Sequence, residues 1–434
     1  MGTLTILFVL PLLIVFSYLF DSYARKTKFP AVILLMLTGI IIRIISNLYG
    51  FDDFTFLENL VPVIGTIGLI LIVLEGALEL EISIEKLPVI IKGFFAAFII
   101  LIINICVLSF IFKEAFGMNY INSVIYSIPL SIISSAVAIP SASALLNHQK
   151  EFVIYESTFS DILGIMIFNF AIKQFKNENP LISTESIISL IIQVVGVILI
   201  SLVITYLLFR LIQKIEQKVK FFLILALLIL VYAFGKLFHL PALVTIFMFG
   251  IFLSNVKILL PKFLRQNLNL EQNKKDLSEF HILTAESTFI VRTFFFLFFG
   301  FSINLENFLS FSPYIYGFLI FLIMFIIRYF YLTLTTLKLN TSPLVYMGPR
   351  GLISILLFLQ IKEIEFINFS ESIIDEKVLL IVILSSMFAM LFGTIKKDNK
   401  TDDSNQNEDI SESITLPIEP IDSSNNNKKN YVSN

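Results

Sequence analysis

Apolar runs of about 20 residues, separated by short polar segments, recur thirteen times along the 434-residue chain. They fall near 3–20, 30–46, 61–79, 88–112, 121–146, 153–175, 186–209, 219–238, 241–255, 283–303, 313–336, 342–361 and 377–394. Each is long enough to cross a bilayer as a helix, and the pattern predicts an all-α polytopic membrane protein with about thirteen transmembrane helices. Composition agrees, because 57% hydrophobic and 15% charged residues cannot be arranged as a water-soluble domain. All the spans lie within residues 1–395. Residues 396–434 are rich in Asn, Ser, Asp and Glu, have little to bury, and are expected to form a disordered cytoplasmic tail. The first span has neither a basic start nor a small-residue cleavage site, so it is expected to be a retained helix.

Charge sets the expected orientation. With the N-terminus outside, inward-facing segments carry about 18 lysines and arginines, and outward segments and span ends about 7. An outside N-terminus and a cytoplasmic C-terminus require an odd number of spans, which thirteen satisfies. The sequence also echoes itself. Residues 29–40 and 240–251 both open a span with Pro-Ala and close on Gly-Ile, at an offset of 211, and Pro140 pairs with Pro349 at an offset of 209. Gly76 to Glu81, ending the third span, weakly resembles Gly300 to Glu306, ending the tenth. The matches run second to ninth, third to tenth and fifth to twelfth span. Seven spans separate each pair, so the two copies face opposite ways, as in the inverted repeats of secondary transporters.

Two carboxylates lie in one span. Glu156 and Asp161 sit in the sixth, where a single charged side chain at mid-depth costs about 2.5–3.5 kcal/mol on insertion scales. On a helix Ser157 shares a face with Asp161, and Ser160 with Glu156, so the two acids point different ways. One is expected to need a permanent counter-charge and the other access to water. Arg292, Arg328 and Arg350 lie deep in spans, and spacing alone does not choose among them. A fixed ion pair is preferred for Glu156 over ion binding. In the fifth span Ser134 to Ser143 is rich in small polar residues, and Pro140 removes a backbone donor. With Pro349 at the repeat-related position, two broken helices are expected to cross at the membrane midplane. Arg292 is open to two readings, lining a cytoplasmic funnel or snorkelling to the interface, of which the second is the simpler.

Other chemistry is sparse. Cys106 is the only cysteine and lies in an apolar run, leaving no disulfide framework or thiolate metal site. His148, His239 and His281 fall near predicted helix ends and read as interfacial residues. No basic patch points to nucleic acid, no cofactor is implied, and no span places a histidine near a nucleophile, so an intramembrane enzyme is not expected. No filter-like repeat supports a channel, which remains the rival transport class.

Taken together, the Glu156 to Asp161 segment, Gly348-Pro349-Arg350-Gly351-Leu352-Ile353-Ser354, Leu74-Glu75-Gly76 and Arg328 resemble the monovalent cation:proton antiporters, within them the NhaP-like Na+/H+ exchanger branch. The resemblance spans roughly residues 1–395. It implies alternating-access exchange of a monovalent cation (Na+, or Li+ or K+) for H+, a plasma-membrane location and a homodimer. It places Asp161 as the residue that binds either the cation or the proton, with Ser157 and Ser160 beside it. It makes Glu156 and Arg328 a buried ion pair, Glu75 an acid on the cytoplasmic access route, and Pro140, Ser141 and Arg350 members of the crossing helices. With one cycling carboxylate, exchange is expected to be electroneutral. Two departures stand out. Ser160 replaces the Asn or second Asp that precedes the aspartate, and the Thr-Asp-Pro of the fifth span becomes Ala138-Ile139-Pro140. A related potassium-efflux branch lacks the same residues, which keeps K+ open as the cation.

Overall fold

A backbone surrounded by lipid must satisfy its hydrogen bonds within its own segment or against other protein, and the apolar runs therefore form helices. The computed structural model describes residues 11–12, 14–20, 22–23, 30–49, 55–177, 180–181, 183–213, 221–237, 242–259, 270–303, 311–335, 342–362, 364 and 373–393. The polar tail at 396–434, His239 and the first part of the first span lie outside the described residues. Among the described residues the structure is helical, with no strand.

Helix α1 covers residues 14–20. It is followed by α2 (Ala31–Leu48), α3 (Thr55–Leu78), α4 (Leu87–Glu114), α5 (Tyr120–Ser131), α6 (Ser135–Ser141), α7 (Asn147–Lys176) and α8 (Thr184–Gln213). Then come α9 (Phe221–Leu237), α10 (Ala242–Ser254), the single turn α11 (Val256–Leu259), α12 (Leu270–Ser302), α13 (Ser312–Thr335), α14 (Ser342–Tyr346) and α15 (Leu352–Ile361). The last, α16, is Glu376–Gly393. The fifth and twelfth spans are each split in two, as α5 with α6 and α14 with α15. Among the described residues six helical stretches are long and apolar enough to cross a membrane, including α2, α4, α13 and α16. Large apolar side chains such as Phe110, Leu207, Phe222 and Phe330 are exposed on the outside, where a water-soluble protein would place polar groups. Helix α12 starts at Leu270, well before the predicted 283, so His281 lies inside a helix rather than at its end.

Local signals set several boundaries. Pro88 occupies the first turn of α4, where its missing N–H costs nothing. After α4 the chain reverses at Gly117, whose φ of 67° suits a residue without a Cβ. Asn119 then caps α5 by accepting the Asn122 N–H at 2.7 Å.

The helices pack in two groups. In one, α2 and α3 lie along α12, and α10 lies against α3, α8 and α9. In the other, α4, α5, α6, α7, α13, α14 and α15 pack together, and α16 joins them through Gly317 against Ile381 and Gly393 against Tyr346. The first group shows the repeat in its packing. Gly39 of α2 lies against the backbone of Leu297 and Phe301 on α12, and Gly300 of α12 against the backbone of Met36. At the equivalent place in the second copy, Gly250 of α10 lies against Ala77 and Leu74 of α3. Small residues allow this close approach, the main source of helix association where the surrounding solvent is as apolar as the side chains.

Gly39→Val and Gly300→Val are therefore expected to destabilise the protein by about 1–3 kcal/mol each, the usual cost of overpacking. Thermal unfolding in detergent reads this, with Gly196→Ala as the control, since a Cβ there meets open space. Variants at residues 39 and 300 as stable as the control would contradict this packing.

Candidate functional site

The fifth and twelfth spans cross where both lose helical structure. Residues 132–134 between α5 and α6, and residues 347–351 between α14 and α15, are non-helical. The Ser134 N–H donates to the Pro349 carbonyl at 2.9 Å, tying one break to the other. The fifth-span break thus precedes Pro140 by six positions and more. Pro140 lies within α6, as does Ser141, whose hydroxyl donates to the Val137 carbonyl. The break lies at the leading edge of the serine-rich stretch 134–143, with Ser134 its last residue and Ser135 the first of α6.

The two acids and two hydroxyls of α7 divide clearly. Ser160 accepts the Ile133 N–H through Oγ at 2.9 Å. Asp161 Oδ2 accepts the Ser135 N–H at 3.1 Å and the Ser135 hydroxyl at 2.5 Å. Asp161 Oδ1 is buried without a hydrogen-bond partner, as is the Oγ of Ser134, the residue before Ser135. Ser157 turns its hydroxyl back to the Val153 carbonyl of its own helix at 2.7 Å, so its oxygen has only acceptor capacity left for an ion. Ser135 was not singled out from the sequence; its one signal was membership of the serine-rich stretch 134–143.

Glu156 faces elsewhere. Arg328 of α13 donates to Glu156 Oε1 from Nη1 at 2.6 Å and to Oε2 from Nη2 at 2.8 Å, a bidentate fork. Both side chains are almost fully buried, at 1% and 4% exposure. The same guanidinium also donates to the carbonyls of Leu344, Val345 and Met347 at the end of α14. Arg350 serves the other helix ends. Its Nε donates to the Leu130 carbonyl and its Nη1 to the Gly348 carbonyl, each at 2.7 Å, while its backbone N–H donates to Ser386 Oγ. The arginines thus meet carbonyls at the ends of α5 and α14, and the α7 side chains meet the N–H groups at the start of α6.

Beside the crossing is a cavity of about 210 Å³ lined by Glu75 of α3, Glu79 just after it, Ser135 and Pro140 of α6, Ser143, Lys150 of α7 and Arg292 of α12, among others. Ser135 therefore lines the cavity and also donates to Asp161. Arg292 does not reach away to the interface, which corrects the simpler sequence reading. It is half-buried, and its Nη1 donates to the Ala136 carbonyl at 3.2 Å. Ala136 lies four residues before Pro140, so its carbonyl would have bonded the N–H that proline lacks. Arg292 supplies the donor that Pro140 withholds. After α3, Asn255 following α10 accepts the Ile82 N–H and donates to the Leu80 carbonyl, and the Tyr155 hydroxyl of α7 donates to the Glu81 carbonyl. Among the described residues no cluster of three or more His, Cys, Asp or Glu is arranged to hold a resident metal ion.

Two oppositely oriented broken helices crossing at a buried carboxylate define a helical membrane protein of the inverted-repeat transporter architecture. Residues 12–396 match the model of the transmembrane sodium/hydrogen exchangers, and the chain belongs to that family. No curated protein sequence matches it. Solved structures share the fold. The sodium proton antiporter MjNhaP1 from Methanocaldococcus jannaschii at pH 8 superimposes with a TM-score of 0.66 at 22% identity, over 91% of this chain and 99% of that one. An electron-microscopy structure of the same antiporter gives 0.67 at 19% identity, over 93% and 97%.

Removing either partner of the Glu156–Arg328 fork leaves a buried charge uncompensated. Glu156→Gln or Arg328→Ala is expected to cost about 3–5 kcal/mol, and Glu156→Gln with Arg328→Gln to recover part of it. Thermal unfolding of the four proteins in detergent checks this, and single variants as stable as the parent would show that the fork carries no stability. Arg292→Leu should also destabilise, by about 1–3 kcal/mol, because it strands the Ala136 carbonyl. In a Pro140→Ala background, which restores a backbone donor at 140, the same change should cost markedly less. Equal costs in both backgrounds would separate Arg292 from Pro140.

Proposed function

We propose that the chain is a secondary active transporter that exchanges a monovalent cation for H+ by alternating access, with Asp161 as the shared site. Membership of the sodium/hydrogen exchanger family supports cation/proton antiport in general. The observation that carries the assignment to Asp161 is the contrast between the two buried acids of α7. Glu156 has both oxygens committed to Arg328, whereas Asp161 has no cationic partner among the described residues and keeps Oδ1 unpartnered at the crossing. A carboxylate in that state binds a proton or a partly dehydrated cation, but not both on one oxygen. Competition for one site, with movement only when it is occupied, is sufficient for antiport.

Glu75, Glu79, Lys150 and Arg292 line the cavity through which ions would reach the crossing. With the N-terminus outside and the C-terminus cytoplasmic, as the basic residues favour, that cavity faces the cytoplasm. The cell membrane is the proposed location, and a homodimer the proposed assembly. Na+ is the leading cation. K+ efflux is the second reading, favoured by Ser160 and Ile139 standing where the resemblance to the Na+ branch places amide or acidic groups. With Glu156 neutralised by Arg328, one charge cycles per turn, and the exchange is electroneutral.

Asp161→Asn is expected to abolish cation-driven proton flux in proteoliposomes while leaving the protein folded, since the amide keeps the size but exchanges no proton. Persistent flux with normal cation dependence would remove Asp161 from the mechanism. For the parent, a membrane potential set by a thiocyanate gradient is expected neither to drive nor to slow exchange. Ser160→Asp, which adds a second acid beside the first, is expected to make transport sensitive to potential. Stimulation of the parent would mean that a further group, such as Glu75, also cycles.

A further inference from the structure

We infer that Ser135 is a positioning residue that confines exchange to a single oxygen of Asp161 and biases that oxygen toward the cation over the proton. The inference rests on the assignment of Asp161 as the shared site and adds a determinant that family membership does not supply. A carboxylate has two equivalent oxygens, and in water either takes a proton or a cation. Here the break removes the equivalence. Oδ2 accepts both the Ser135 N–H and the Ser135 hydroxyl, while Oδ1, equally buried, accepts nothing. An incoming ion or proton therefore meets only one oxygen with free lone pairs.

The direction of the bias follows from the hydroxyl. A hydrogen bond to an ionised acceptor is roughly twice as strong as one to a neutral acceptor. Ser135 Oγ donates more strongly to Asp161 when the carboxylate is charged, as it is with a bound cation, than when Oδ1 carries a proton. The backbone N–H acts in the same sense but cannot be removed by substitution, so the side chain is the adjustable part. Its location makes it effective. Ser135 is itself buried, begins α6 directly after the break, and lines the cavity while its hydroxyl donates to Asp161.

Among the described residues no neighbouring charge duplicates this role. Glu156, on α7 itself, is held by Arg328. Arg350 is turned to the Leu130 and Gly348 carbonyls. Arg292 is bound to the Ala136 carbonyl, and Glu75, Glu79 and Lys150 border the cavity with it. On α4, Lys92, Lys113 and Glu114 are exposed. Tyr126 and Tyr120 are the titratable groups of α5, and α15 carries none. Ser135→Ala leaves every one of these groups in place.

The test uses the full chain in proteoliposomes, with Na+, Li+ and K+ as separate probes and proton flux as the readout across pH. Ser135→Ala is expected to raise the cation KM about tenfold with little change in maximal rate, and to move the pH profile about one unit alkaline. Ser135→Thr, which retains the donor, is expected to return the profile toward that of the parent. As a readout independent of transport, the cation concentration that half-maximally raises the melting temperature in detergent should rise about tenfold in Ser135→Ala. An unchanged KM and pH profile in Ser135→Ala, or a lower maximal rate with neither altered, would overturn the inference. Failure of the parent itself to couple proton flux to any of the three cations would instead overturn the antiport assignment.

Discussion

Everything at the crossing depends on one constraint: a helix broken inside a membrane exposes N–H and C=O groups that only protein can satisfy. The breaks at 132–134 and 347–351 meet it with opposite chemistry at opposite ends. Carboxylate and hydroxyl oxygens of α7 take the N–H groups that open α6, and arginine donors take the carbonyls that close α5 and α14. The polarity matches the partial charges of helix termini, positive at the N–H end and negative at the carbonyl end. The arrangement also explains how two arginines and two acids coexist in an apolar interior. Only one acid–arginine pair among them is an ion pair; the other members are neutralised by backbone dipoles.

That division gives the two acids of one helix different fates. Glu156 and Asp161 are five positions apart, which turns them to different faces of α7. One meets a guanidinium with both oxygens, and the other meets a helix start with a single oxygen. The first arrangement is saturated and suits a permanent joint. The second leaves one oxygen free and suits an occupant that changes. Ser160, between them in the helix, accepts the Ile133 N–H and so supports the break that presents Ser135 to Asp161.

Hydropathy made the order of helices legible, because span length and the bilayer impose the same period on every segment. Internal repetition showed the relation between Gly39 and Gly250, whose close contacts are equivalent in the two copies. What local pattern could not convey was contact across the fold. Spacing left Arg292, Arg328 and Arg350 equally open as partners of Glu156, since the choice depends on how α13 approaches α7. Proline is a loud local signal and drew attention to residue 140, yet the break lies earlier, where serines rather than proline accommodate a non-helical backbone. The effect of Pro140 appears instead one turn back, at the Ala136 carbonyl, and on a residue 156 positions away, Arg292. Ser135 was inconspicuous because its role depends on Asp161, 26 positions further on.

The short helix α14 has one more consequence. Five residues cannot sustain a helix unaided, because nucleation costs more than one turn returns. Three of the carbonyls at its end are held by Arg328, which is itself held by Glu156, 172 positions earlier in the chain. The shape of this half-span is therefore borrowed from helices synthesised before it.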